Sequence, residues 1–154
     1  MSPLNRALPS GTQKAIFGYG YTGSYVSMTN LVSNTGVVGS DVTGVGTARY
    51  VLAAAGYGTD KAIFGYGSST SYHSMTNLVS NTGVVGSDVT GVGTARNAFA
   101  AAGYGTDKAI FGYGDSGSNV SITNLVSNTG VVGSDVTGVG TARRQLAAAG
   151  FSLT

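Results

Sequence analysis

The chain has 154 residues, with eight Lys and Arg against six Asp, one His, no Cys and a net charge of +2. That balance excludes a disulfide framework, a thiolate metal site and the basic stripe that phosphate neutralisation needs, and so argues against nucleic-acid binding. Twenty-six glycines, nine tyrosines and no glutamate disfavour helix and favour short strands joined by tight turns, an all-β composition.

Residues 1–13, MSPLNRALPSGTQ, read as a leader. It lacks the apolar run of a signal peptide, and no later stretch reaches the roughly 18 apolar residues of a membrane span, so a soluble chain with no membrane partner is expected. The compartment is not specified. Pro9 suits this leader poorly to a strand, while Leu4 and Leu8 could pack on a rim.

Three near-copies of one 47-residue unit follow without a spacer, at 14–60, 61–107 and 108–154. A unit this short cannot bury its apolar faces alone, so neighbouring copies must pack into one domain. In the first copy the strand-like runs are Lys14–Gly20 (KAIFGYG), Tyr25–Ser33 (YVSMTNLVS), Val37–Thr43 (VVGSDVT) and Ala48–Gly58 (ARYVLAAAGYG). Gly-containing turns separate them, and amphipathic 3.6-residue periodicity is absent. Ala15–Gly18 and Leu52–Gly56 are apolar or small almost throughout, the pattern of strands covered on both faces. The Ala-rich run suits a crowded innermost position.

The order of a small-residue strand after an Arg, a polar turn, an apolar strand ending in glycines and two outer strands resembles the kelch-type β-propeller blade. The Gly pair of that family corresponds to FGYG at Phe17–Gly20, Phe64–Gly67 and Phe111–Gly114, and its Arg to Arg49, Arg96 and Arg143. Tyr splits the Gly pair here, and the outer Trp is missing. Similar Gly-rich repeats occur in phage structural proteins. The resemblance implies a propeller of four-stranded blades, three per chain.

Three blades do not close a ring, since closed propellers need about four to eight. The expected solution is a homodimer giving six blades, with a homotrimer giving nine as the next option. Each C-terminal strand, Arg143–Phe151, would complete the first blade of the other chain, removing free strand edges. A solenoid of stacked β-repeats is the alternative fold, and it would not need its ends to meet.

The copies differ in two windows. These are Tyr21–Met28, Ser68–Met75 and Asp115–Ile122, and the three residues after each TAR, namely YVL, NAF and RQL. Variation beside a fixed scaffold fits a recognition surface for a glycan or protein, and also drift at tolerant loop positions. The candidate ligand-contacting residues are Tyr21, Tyr25, Tyr72, His73, Asp115 and Asn119. His73 has no second His, Cys or Glu for a zinc site and no orienting carboxylate for general-base work, so it reads as an exposed bystander. Asp41, Asp88 and Asp135 recur in GSDVTG, eight residues before Arg49, Arg96 and Arg143. Recurrence in every copy favours a structural role, with each Asp bonding to turn backbone or to the Arg. The G-x-G-x-x-G match at Gly18–Gly23 is followed by a strand rather than a helix and fails in the second copy.

No catalytic residue, metal site or cofactor is expected. The leading expectation is a non-enzymatic structural or binding propeller that self-assembles from identical chains, either a phage-type virion component or a symmetric engineered scaffold. A carbohydrate-binding, lectin-like propeller is the alternative, weakened by the absence of Trp for sugar stacking.

Overall fold

The structure, a computed structural model, describes residues 14–151. The leader, with Pro9 and the rim role of Leu4 and Leu8, lies outside the described residues. Within them the chain is all-β, with no helix and three small antiparallel sheets. The first sheet pairs β1 (Ala15–Tyr21) with β2 (Tyr25–Val32). The second has the order β3 (Ala53–Tyr57), β4 (Lys61–Gly65), β5 (Thr76–Val79), and the third β6 (Ala100–Tyr104), β7 (Lys108–Asp115), β8 (Asn119–Val126). No helix is long and apolar enough to cross a membrane among the described residues.

Each three-stranded sheet straddles a repeat boundary. The Ala-rich strand of one copy pairs with the first strand of the next, Ala53 opposite Gly65 and Tyr57 opposite Lys61, and Ala100 opposite Gly112 in the third sheet. The hairpin between β3 and β4 turns through Gly58 and Thr59, with φ of 59° and 69°. Glycine takes that conformation freely, whereas β-branched Thr takes it at a cost. The small side chains let β3 and β6 lie side by side, so close that a Cβ on Gly103 would sit 3.4 Å from the Gly56 carbonyl.

The third strand-like run of each copy is not a regular strand. Val37–Thr43 reaches β2 only through single bridges, Val32 to Val38 and Thr29 to Val42, and the two are out of register by one residue. The extra residue falls around Gly39–Asp41, a β-bulge in which Gly39 N–H donates to the Leu31 carbonyl. The same interruption recurs at Val85 with Val89 and at Val132 with Val136.

Aromatic side chains lock sheet onto sheet. Phe64 of β4 lies against Gly18 of β1, and Phe111 of β7 against Gly65 of β4, where an added Cβ would come within 2.8 Å and 2.6 Å of the ring. Tyr66, Phe99 and Phe111 meet edge-to-face with centroids 5.4–5.5 Å apart, and Tyr19 meets Phe64 at 5.2 Å. Tyr66, Phe99 and Phe111 form one core with Ile63, Ala109 and Val126, Tyr19 and Phe64 form a second with Val79 and Val85, and burying each large side chain contributes about 1.5–3 kcal/mol. Phe17, the equivalent of Phe64 and Phe111, is instead 61% exposed.

Candidate functional site

The two variable windows converge at one end of the sheets. Tyr50, from the window after TAR, exchanges backbone hydrogen bonds with Ser68 of the next copy, and Asn97 does the same with Asp115. In the first copy this brings Tyr21, Tyr25 and Tyr50 into a cluster with ring centroids 5.3–5.9 Å apart. Asn97 Nδ2 donates to Ser68 Oγ at 2.9 Å. Tyr72 donates from its hydroxyl to Asp115 Oδ1 at 3.1 Å, and Arg144 pairs with the other Asp115 oxygen. The Gly117 N–H, then Arg144 and Tyr72, hold the Asp115 carboxyl below its ordinary range. The difference between copies marks the window that holds Tyr50, Asn97 and Arg144, but nothing in the sequence marks those three residues individually.

Of the other candidates, Asn119 lies exposed across the β7–β8 hairpin from Asp115. His73 is half-buried rather than exposed, with its Nε2 2.7 Å from Ser69 Oγ, and burial, then the charge of Arg49, lowers its pKa. No group of three or more metal-ligating side chains occurs among the described residues.

The recurrent Arg and Asp build the boundaries between copies. Arg49 is fully buried; its Nε donates to the Tyr66 carbonyl at 2.7 Å, Nη1 to the Thr47 carbonyl at 3.0 Å and Nη2 to Asn77 Oδ1 at 2.6 Å. Its guanidinium lies 4.4 Å from the centroid of the Tyr19 ring. Arg96 repeats the arrangement with Tyr113, Thr94 and Asn124, over Tyr66 at 4.6 Å. Burial lowers both arginine pKa values, and the tyrosine and the Asp of the next copy oppose it.

Within one copy Asp41 and Arg49 do not pair. Asp88 instead receives the N–H and hydroxyl of Thr47 from the preceding copy, the latter at 2.6 Å, and stands 3.8 Å from Arg49. Asp135 takes Thr94 in the same way. Asn77 and Asn124 tie each Asp to its own sheet at 2.9 Å. Every buried side-chain nitrogen and oxygen among the described residues has a partner.

Two half-junctions stand open among the described residues. Arg143 lies over Tyr113 at 4.1 Å, like its equivalents over their tyrosines, but it is exposed and its one side-chain bond among the described residues goes to the Thr141 carbonyl. At the other end Asn30 donates to Gly39 and Asp41, while no described Arg reaches its Oδ1 and no described Thr reaches Asp41. The arrangement joins repeats and presents a variable surface.

No protein-family profile matches the chain, and no curated protein matches it significantly.

Proposed function

We propose that the chain is a non-enzymatic structural or binding subunit of a β-propeller, of kelch-like organisation, closed into a ring by identical chains. The observation that carries this reading is the inequality of the sheets. The second and third begin with an Ala-rich strand, and the first has none, leaving the β1 edge unpaired among the described residues. Meanwhile residues 146–151, which carry the same Ala-rich sequence, lie beside β6 without strand pairing, and Phe151 is 88% exposed. An exposed strand edge and a spare strand of matching sequence are complementary halves. Two chains would make a six-bladed ring, and three a nine-bladed one.

In this reading the repeated face supplies the scaffold, as in a virion component or a symmetric scaffold, and the variable face supplies recognition. The Tyr21–Tyr25–Tyr50 cluster favours a second reading, a lectin-like propeller, because tyrosine faces can stack on sugar rings. Light scattering tests the first. The expected mass is near twice the 15.3 kDa chain, and shortening the chain after Gly140 returns it to the monomer. A stable monomer overturns the ring and favours an open stack of β-repeats. Glycan-array binding lost in Tyr25→Ala would establish the lectin; silence would remove it.

A further inference from the structure

Resting on the ring reading, we propose that the surface joining two copies is a third instance of the boundary inside the chain, latched by Arg143. Arg143 enters the first copy-unit of a second chain, donating from Nε to the carbonyl of the partner's Tyr19 and from Nη2 to Oδ1 of the partner's Asn30. Thr141 then meets the partner's Asp41. The partner is another copy of this chain, docked head to tail.

Each internal boundary contains contacts whose two halves are left apart at the ends of the described chain. Inside the chain, Gly65 is filled by Phe111, with an added Cβ 2.6 Å from the ring; at Gly112 the nearest atom is a Thr123 methyl of the same sheet at 3.3 Å. The ring that would fill Gly112 is the exposed Phe17 of another copy. A Cβ added to Gly83 or Gly130 would come within 2.6 or 2.9 Å of Leu31 or Leu78 of the preceding unit, whereas one on Gly36 would have nothing within 4 Å among the described residues, and Leu125 is 45% exposed. Gly67 and Gly114 are covered by the segment after the preceding TAR, and a Cβ added to Gly20 would have nothing within 4 Å among the described residues. Each vacancy on one terminal unit thus matches a surplus group on the other.

The chemistry selects the same occupant. A guanidinium aligned over Tyr113 is already in the pose that Arg49 and Arg96 hold over Tyr19 and Tyr66, so little rotamer freedom is lost on docking. Asn30, held by Gly39 and Asp41, keeps its carbonyl oxygen for one more donor, as Asn77 and Asn124 do for theirs. The contact is heterologous, so it closes a ring or extends as a filament according to the rotation per copy.

The test compares the wild-type chain with Arg143→Ala, Arg143→Lys and Asn30→Ala by light scattering and analytical ultracentrifugation. Far-UV circular dichroism checks that each variant keeps its sheet. Removing one partner of a desolvated charged bond should weaken association roughly 30-fold per junction, and on the order of 1,000-fold in a two-junction ring. Lys, which lacks the fork, should rescue little. Mixing Arg143→Ala with Asn30→Ala should restore association above either variant alone, because the mixed pair contains one intact junction. A wild-type assembly whose dissociation constant is unchanged in both alanine variants overturns the latch while leaving ring closure in place. A wild-type monomer overturns both, and a latch-dependent polymer supports the latch while overturning the closed ring.

Discussion

Arg49 donates a 2.6 Å hydrogen bond to Asn77 across the boundary between the first and second copies, with both side chains fully buried. The bond makes each arginine belong to two sheets at once, stacked on a tyrosine of its own unit and bonded to an asparagine of the next. Removing the arginine leaves the Asn77 amide oxygen and the Tyr66 and Thr47 carbonyls without their donor. Arg49→Ala and Arg96→Ala should each destabilise by about 3–5 kcal/mol in urea unfolding. A loss under 1 kcal/mol would mean that water replaces the guanidinium at no cost, and the boundary would then rest on the aromatic contacts alone.

Much of this boundary could be anticipated, and its wiring could not. The recurrence of Asp41 and Arg49 suggested a structural pair, but near-identical repeats cannot distinguish a contact within a copy from the same contact made to the next. The turn carrying Thr47 reaches the following unit, so Asp88 becomes the partner. The Tyr that splits the glycine pair in FGYG looked like a departure from the kelch pattern. In the structure Tyr19, Tyr66 and Tyr113 take φ of 63°, 53° and 66°; β1 and β7 shift register there, and the tyrosine rings lie under arginines. VVGSDVT has strand-like composition, yet Gly39 and Asp41 bulge it, because the Asp side chain is committed to the Asn of its own sheet. The variable windows were visible as separate segments, and only the pairing of Tyr50 with Ser68 shows that they share one face.

The equivalent glycines separate folding from assembly. Gly65→Ala would drive a Cβ into Phe111, a fully buried ring, and should cost about 1–3 kcal/mol of stability. Gly112→Ala meets a single methyl at 3.3 Å and should leave unfolding of the isolated chain nearly unchanged. In the assembled protein it would meet the partner's Phe17, so its effect should appear in the light-scattering mass. Equal losses of chain stability in the two variants would contradict this division.

Thr59 and Thr106 occupy the β-hairpin turns with φ of 69° and 71°, where a β-branched residue crowds its own backbone. Neither hydroxyl makes a compensating hydrogen bond among the described residues. Asn tolerates this conformation better, so Thr59→Asn and Thr106→Asn should each raise stability by about 0.5–1 kcal/mol. The two turns touch, Gly58 N–H donating to the Asp107 carbonyl at 2.7 Å, so thermal unfolding of the double variant beside the two single variants measures their coupling as well as the gain. No gain in either would indicate that the turn relaxes without strain.

Asp88 and Asp135 give the boundaries a defined pH dependence. Burial raises each carboxyl pKa, but the hydrogen bonds from Thr47 and Asn77, or Thr94 and Asn124, and the nearby arginine outweigh it, so both are lowered from 3.8. A carboxyl whose folded pKa lies below its unfolded value binds fewer protons when folded. The stabilisation is therefore complete above the unfolded value and is lost as pH falls through the lowered one. Asp60 and Asp107 are lowered too, by Lys61 and Lys108, but these exposed pairs join adjacent residues and contribute little. Asp115, held by Gly117 and Arg144, is the remaining contributor. Urea midpoints measured from pH 6 to pH 2 at fixed ionic strength should decline gently at the upper end, where the half-buried His73 binds fewer protons folded than unfolded, and fall more steeply below about pH 4. The double variant Asp88→Asn/Asp135→Asn should be less stable at neutral pH and lose much of that acid slope, because amides do not titrate there. An acid slope equal to that of the wild-type chain would place the titrating groups outside the boundaries, with Asp115 the next to replace.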